Sequence, residues 1–118
     1  MPHVMISGPV SLEQWHQTFQ PVTLRQDGFI LKLKEAFINT DKAMLLIEAV
    51  VVDGNFSQTF YIVAARRGES VSVHLDALTD PEKNDGVRRL IAMIAHQLKS
   101  QAPACRYEQH SLVGFLRE

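Results

Sequence analysis

At 118 residues, with 46% hydrophobic and 21% charged side chains, the chain has the length and composition of one folded domain covering residues 1–118. It can close a single core and is too short to divide comfortably into two. A formal net charge of −1 provides no global field for a polyanion, and the single cysteine, Cys105, excludes an internal disulfide and a Cys-rich metal site. No long apolar run and no basic segment followed by an apolar one occurs, so a cytoplasmic protein without a membrane partner is expected.

His3 to Ile6 reads as a short strand closed by Ser7-Gly8-Pro9. Ser11 followed by Gln14 is a capping-box pattern, and Leu12, Trp15 and Phe19 fall at helical spacing, with Val10 placed to staple against Trp15. Pro21 ends this short N-terminal helix near Gln20. From Phe29 the period changes to two. Phe29, Leu31, Leu33 and Phe37 share one face and Lys32 and Lys34 the other, with Glu35 the exception, which reads as a half-buried strand.

Asn39 to Lys42 is turn-rich, and Ala43 to Val52 is apolar on both faces except at Glu48, as in a strand covered on both sides. Asp53-Gly54 or Gly54-Asn55 supplies a hairpin turn, and Phe56 to Ala65 returns. Arg66 to Glu69 turns again, and Val71, Val73 and Leu75 alternate with polar residues in a fourth strand. Thr79-Asp80-Pro81-Glu82 is a second capping box, which opens a long helix whose apolar face is Val87, Leu90, Ile91, Ile94 and Leu98, with Asp85 as a later alternative start. After Pro103, the tail from Ala104 to Glu118 reads either as a last strand or as a helical turn around Leu112, Val113, Phe115 and Leu116.

The fold class expected is therefore α+β: a four-stranded antiparallel β-meander, a long helix from the C-terminal half packed on one face, and a short N-terminal helix. Parity constrains the register, because a slip of one residue moves every side chain to the wrong face. A turn at Asp53-Gly54 sets Val51 opposite Phe56 and Ile47 opposite Phe60. A three-residue loop at Thr40 to Lys42 sets Phe37 opposite Leu45 and Leu33 opposite Ala49. A loop at Arg66 to Glu69 sets Ile62 opposite Val73.

On the opposite face this register lines up Lys34, Glu48, Thr59 and Asp76 in one row, with Tyr61 and His74 alongside. A cation, two carboxylates, a hydroxyl, a phenol and an imidazole could perform acid–base work or hold a polar ligand. An ordinary cross-strand charge pair, Lys34 with Glu48, accounts for part of the same pattern. The face also carries Met44, Leu46, Val50, Val52 and Val63, an apolar patch that needs a cover. Either a second copy packs its sheet there as a homodimer, or Trp15 of the N-terminal helix or the tail covers it within the chain.

The five histidines show no spacing that presents two ligands from one helix, and no P-loop, dinucleotide fingerprint or nucleophile elbow occurs, so neither metal nor cofactor is expected. The pairs Arg66-Arg67 and Arg88-Arg89, with Lys32 and Lys34, could make a basic patch, but solvated turns and helix faces look the same. With Phe29, Phe37 and Phe60 assigned to the core, only Tyr61 could stack on a base, so nucleic acid is not an expected partner. The function expected is a non-catalytic binding or interaction module that self-associates through the outer sheet face. The alternatives are a small enzyme or polar-ligand-binding protein using the Lys34/Glu48/Thr59/Tyr61/His74/Asp76 cluster, and a weak nucleic-acid binder through the paired arginines.

Overall fold

The alternating apolar residues between Phe29 and Leu75 fold, in a computed structural model that describes residues 2–116, into the middle of a larger sheet. The expected tail extends to Arg117 and Glu118, which lie outside the described residues. The described residues form seven strands: β1 (His3–Ser7), β2 (Val22–Gln26), β3 (Phe29–Ile38), β4 (Met44–Asp53), β5 (Phe56–Arg67), β6 (Ser70–Leu75) and β7 (Arg106–His110). Their order across the sheet is β2-β3-β4-β5-β6-β1-β7, and every pairing is antiparallel. Two helices, α1 (Leu12–Gln17) and α2 (Asp85–Lys99), complete the described elements.

The four-stranded expectation is thereby corrected: β3 to β6 are its meander, extended at both edges. Strand β2 has only Val22 and Leu24 as apolar alternation, too little to stand out, yet Asp27-Gly28 behind it is a strong hairpin turn. Gln26 pairs with Phe29 across that turn, with Asp27 and Gly28 both at positive φ. Strand β1 pairs with β6 rather than standing alone, and β7 pairs outside β1. Both contacts join residues far apart in sequence, which local periodicity does not report.

The expected long helix is also corrected: it does not open at the second capping box but at the alternative start, Asp85. Helix α2 runs 15 residues from an Asn84 cap, whose side chain accepts from the Val87 N–H at 3.0 Å. The Thr79 to Glu82 segment is a loop instead. The Thr79 hydroxyl accepts from the Tyr61 N–H, and the Gln58 side-chain amide donates to the Glu82 carbonyl. Gly86 in the first turn has a packing reason, since a Cβ there would lie 2.6 Å from Val51 Cγ1 and 3.0 Å from Phe29 Cδ1. Helix and sheet approach more closely than a Cβ at that position allows unless Val51 and Phe29 shift.

The core lies between the sheet and the helices. Val87, Leu90, Ile91, Ile94 and Leu98 are fully buried against Leu45, Ile47, Phe60, Ile62, Val71 and Val73. Ser11 caps α1 as its pattern implies, accepting from the Gln14 N–H at 3.1 Å. Trp15 is buried and donates Nε1–H to Gln97 Oε1 of α2 at 2.8 Å, so α1 sits beside α2 on the core side. Leu112 after β7 is likewise fully buried in the core. Neither Trp15 nor the described tail covers the outer face. No helix among the described residues is long and apolar enough to cross a membrane.

Candidate functional site

The outer face of the sheet carries the residues singled out from the sequence, and its register decides which of them meet. At β4–β5 the turn is Gly54-Asn55, so Ile47 lies opposite Ile62 and Ala49 opposite Phe60. At β5–β6 the turn is Gly68-Glu69, so Ile62 lies opposite Leu75. Both expected registers are off by two residues, a slip that leaves every side chain on its predicted face.

Strand β3 behaves differently. Leu33 does pair with Ala49, but a bulge between Leu33 and Glu35 inserts Lys34 as an extra residue. Beyond it, Glu35 faces Glu48 and Phe37 faces Leu46, so Phe37 turns from the core to the outer face and is 52% exposed. The expected pairing of Lys34 with Glu48 is absent, and the two form no ion pair among the described residues.

The cluster therefore divides. Glu48 lies directly opposite Tyr61, and the Asp76 N–H donates to the Tyr61 carbonyl at 2.9 Å, so Glu35, Glu48, Tyr61 and Asp76 cross the sheet together. Thr59 lies opposite Val50 on one side of this row, and His74 opposite Val63 on the other. Lys34 stands apart in the bulge, exposed. His74 is half-buried, with Nδ1 3.0 Å from the Ser72 hydroxyl and His3 across the ladder. Burial, then the charge of Arg67, lowers its pKa from the ordinary value, against the pull of Asp76 and with a further lowering from His3.

Of the patch expected to need a cover, Val50 and Val63 are nearly buried within the sheet surface itself, Leu46 and Val52 are half-buried, and Met44 is exposed. Neighbouring side chains on the same face thus shield much of that apolar area.

The paired arginines do not form one patch. Arg66 points to the core side and donates to the Val10 carbonyl, whereas Arg67 is paired with Ser70 on the outer face. Arg88 lies 3.7 Å from Asp85, and Arg89 2.8 Å from Asp27. Three cations that make no ion pair among the described residues, Arg25, Lys32 and Lys34, lie at the β2–β3 edge, where Thr23 faces Lys32 and Arg25 faces Ile30, with Lys34 in the adjoining bulge. The sequence does not single out Arg25, because Val22 and Leu24 alone are too little alternation to mark β2 as a strand. Its signal was the turn pair Asp27-Gly28. No group of His, Cys, Asp and Glu that could hold a metal occurs among the described residues.

No family model matches the chain, and no solved structure matches it. A curated protein does: the tRNA (guanine-N(7)-)-methyltransferase of Coprothermobacter proteolyticus is 34% identical over an alignment of 105 residues that covers 85% of this chain and 31% of that protein. The relative is an enzyme named for acting on tRNA. The similarity overturns the expectation of a self-associating, non-catalytic interaction module, and with it the homodimer, the protein partner and the dismissal of nucleic acid. The chain spans about a third of the length of the curated relative it matches.

Proposed function

We propose that this chain works in tRNA guanine-N7 methylation, as the part of such an enzyme that engages the RNA. The observation that carries the reading is the 34% identity over most of the chain to a tRNA (guanine-N(7)-)-methyltransferase. Methyl transfer also requires a methyl donor. Open α/β sheets hold nucleotide-containing groups in the crevice at the carboxyl ends of parallel strands. Every strand pairing among the described residues is antiparallel, so they do not fit that mode and no transfer step is assigned to them.

The outer face supports RNA contact in two ways. Arg25, Lys32 and Lys34 gather positive charge at one edge for phosphates, and Phe37 and Tyr61 offer rings on which unpaired bases stack. Glu48 and Asp76 in the central row are acceptors for base amino groups, with Thr59 and His74 beside them. A tRNA-acting protein works where tRNA is, which fits a cytoplasmic location. We read residues 1–118 as one folding unit serving this purpose.

Titration of fluorescently labelled tRNA at low salt, repeated as salt rises, tests the reading. With net charge −1 and three edge cations, the affinity should fall with salt along a shallow slope, each phosphate contact contributing about 0.7–0.9 to it. Replacing Lys32 and Lys34 by Glu should abolish binding while leaving the thermal unfolding temperature nearly unchanged. Absence of tRNA binding by the unaltered chain at low salt would overturn it.

A further inference from the structure

On the covered side of the sheet, α1, β2, β3 and α2 leave a cleft of about 500 Å³ between them. That volume is in the range of small-molecule sites. Its lining is chemically narrow. Trp15 and Phe19, with ring centroids 5.2 Å apart, form an aromatic wall, and Gln14, Gln20, Gln97 and Ser100 bring polar groups to it. No charged side chain lines it.

Some of those polar groups are already committed. Gln97 Oε1 accepts from Trp15 Nε1–H, and the Ser100 hydroxyl donates to the His96 carbonyl at 2.7 Å. The second half of the Gln97 amide and the Gln14 and Gln20 side chains make no hydrogen bond among the described residues. Each amide offers both a donor and an acceptor, with Gln97 keeping its N–H groups and one of the two lone pairs on its oxygen. An uncharged cleft with an aromatic wall and amides of both polarities suits a neutral planar heterocycle that itself carries donors and acceptors. It does not suit a phosphate, which would need a cation or oriented backbone N–H groups.

We propose that this cleft binds a nucleobase, unstacked from the RNA and held as the base of a single nucleotide. The choice of a nucleobase among planar heterocycles rests on the RNA reading above. Strand β2 links the two places, since Val22 lines the cleft while Arg25 of the same strand faces outward at the cationic edge. An RNA strand held along that edge turns one base around β2 into the cleft. The energy of unstacking is offset by aromatic contact and by hydrogen bonds to the base edges, as in other proteins that read single-stranded RNA.

Trp15 is the chain's sole tryptophan, so its fluorescence reports directly on the cleft. Guanosine, adenosine and uridine are titrated separately, exciting beyond nucleoside absorption, with ribose 5-phosphate as the control. Saturable quenching by at least one nucleoside and none by ribose 5-phosphate is expected. The double variant Gln14→Ala, Gln20→Ala, both positions exposed, should bind about tenfold more weakly, the loss of two hydrogen bonds. Its circular dichroism should match that of the unaltered chain. No saturable quenching by any nucleoside, equal quenching by ribose 5-phosphate, or unchanged affinity in the folded double variant overturns the assignment. The tRNA titration is run in parallel. Labelled tRNA that binds while nucleosides leave Trp15 unaffected removes the cleft and keeps the RNA reading. Nucleoside binding without tRNA binding keeps the cleft as a nucleoside site and removes the RNA reading.

Discussion

The two faces of this sheet are built from similar side chains and have different fates. On one, Leu45, Ile47, Phe60, Ile62, Val71 and Val73 are fully buried beneath α2. On the other, Leu46, Val52, Met44 and Phe37 remain partly or largely exposed, interrupted by Glu48, Tyr61, Asp76 and His74. Apolar content alone does not make a core. A second layer does, by removing area from water on both sides of the contact, and here the helices supply it to one face only. The other face is left as a surface on which charge and aromatic rings can meet a ligand.

The sharpest way to break this comparison is to truncate one residue on each face. Leu90→Ala, fully buried in α2, should cost about 3 kcal/mol by urea denaturation, whereas Phe37→Ala on the outer face should cost less than about 1 kcal/mol. Equal losses would show that the outer face is covered in solution. Gly86→Ala probes how closely helix and sheet approach. The added methyl meets Val51 and Phe29, so a loss of about 1–3 kcal/mol is expected despite the better helix propensity of alanine. A gain would mean that α2 can lift away from β4.

Asn84→Ala removes the cap of α2 and should cost about 1 kcal/mol, read as a lower urea midpoint with unchanged slope. The smallest effect belongs to His74 on the outer face, whose pKa is lowered chiefly by burial and next by Arg67. The unfolded imidazole titrates at its ordinary value near 6.5, above the folded one, so between the two values the unfolded chain binds more protons. The stability held above about pH 6.5 is therefore lost as the pH falls through that window. Urea midpoints measured on either side of it should differ slightly for the unaltered chain, and His74→Gln should reduce the difference. If the variant kept the full difference, the slope would belong to another group.

The comparison also shows how much of the molecule local sequence carries. Alternation in β3 to β6 placed the faces of three strands correctly even where the register slipped, because slips of two residues preserve parity. The bulge at Lys34 changed parity, and its one local sign is Glu35, a charge that breaks the alternation on the face expected to be core. Phe37 consequently moved to the face where it can serve recognition, and the predicted row lost its cation. Arg25 and the α1–α2 cleft were not legible, because each depends on β2, whose two apolar residues make a weak pattern.

By itself, the sequence determined the central alternating strands, the Ser11-capped helix and the apolar stripe of α2, since each follows from periodicity and capping within a few residues. Only the tertiary structure decided that His3–Ser7 and Arg106–His110 join the sheet, that α1 lies with α2, and that both described helices pack on the same face. Those outcomes depend on hydrogen bonds and packing between segments up to about a hundred residues apart, such as the Ser111 hydroxyl accepting from the His3 N–H. Such contacts form when whole elements dock, and no short window of sequence contains both partners.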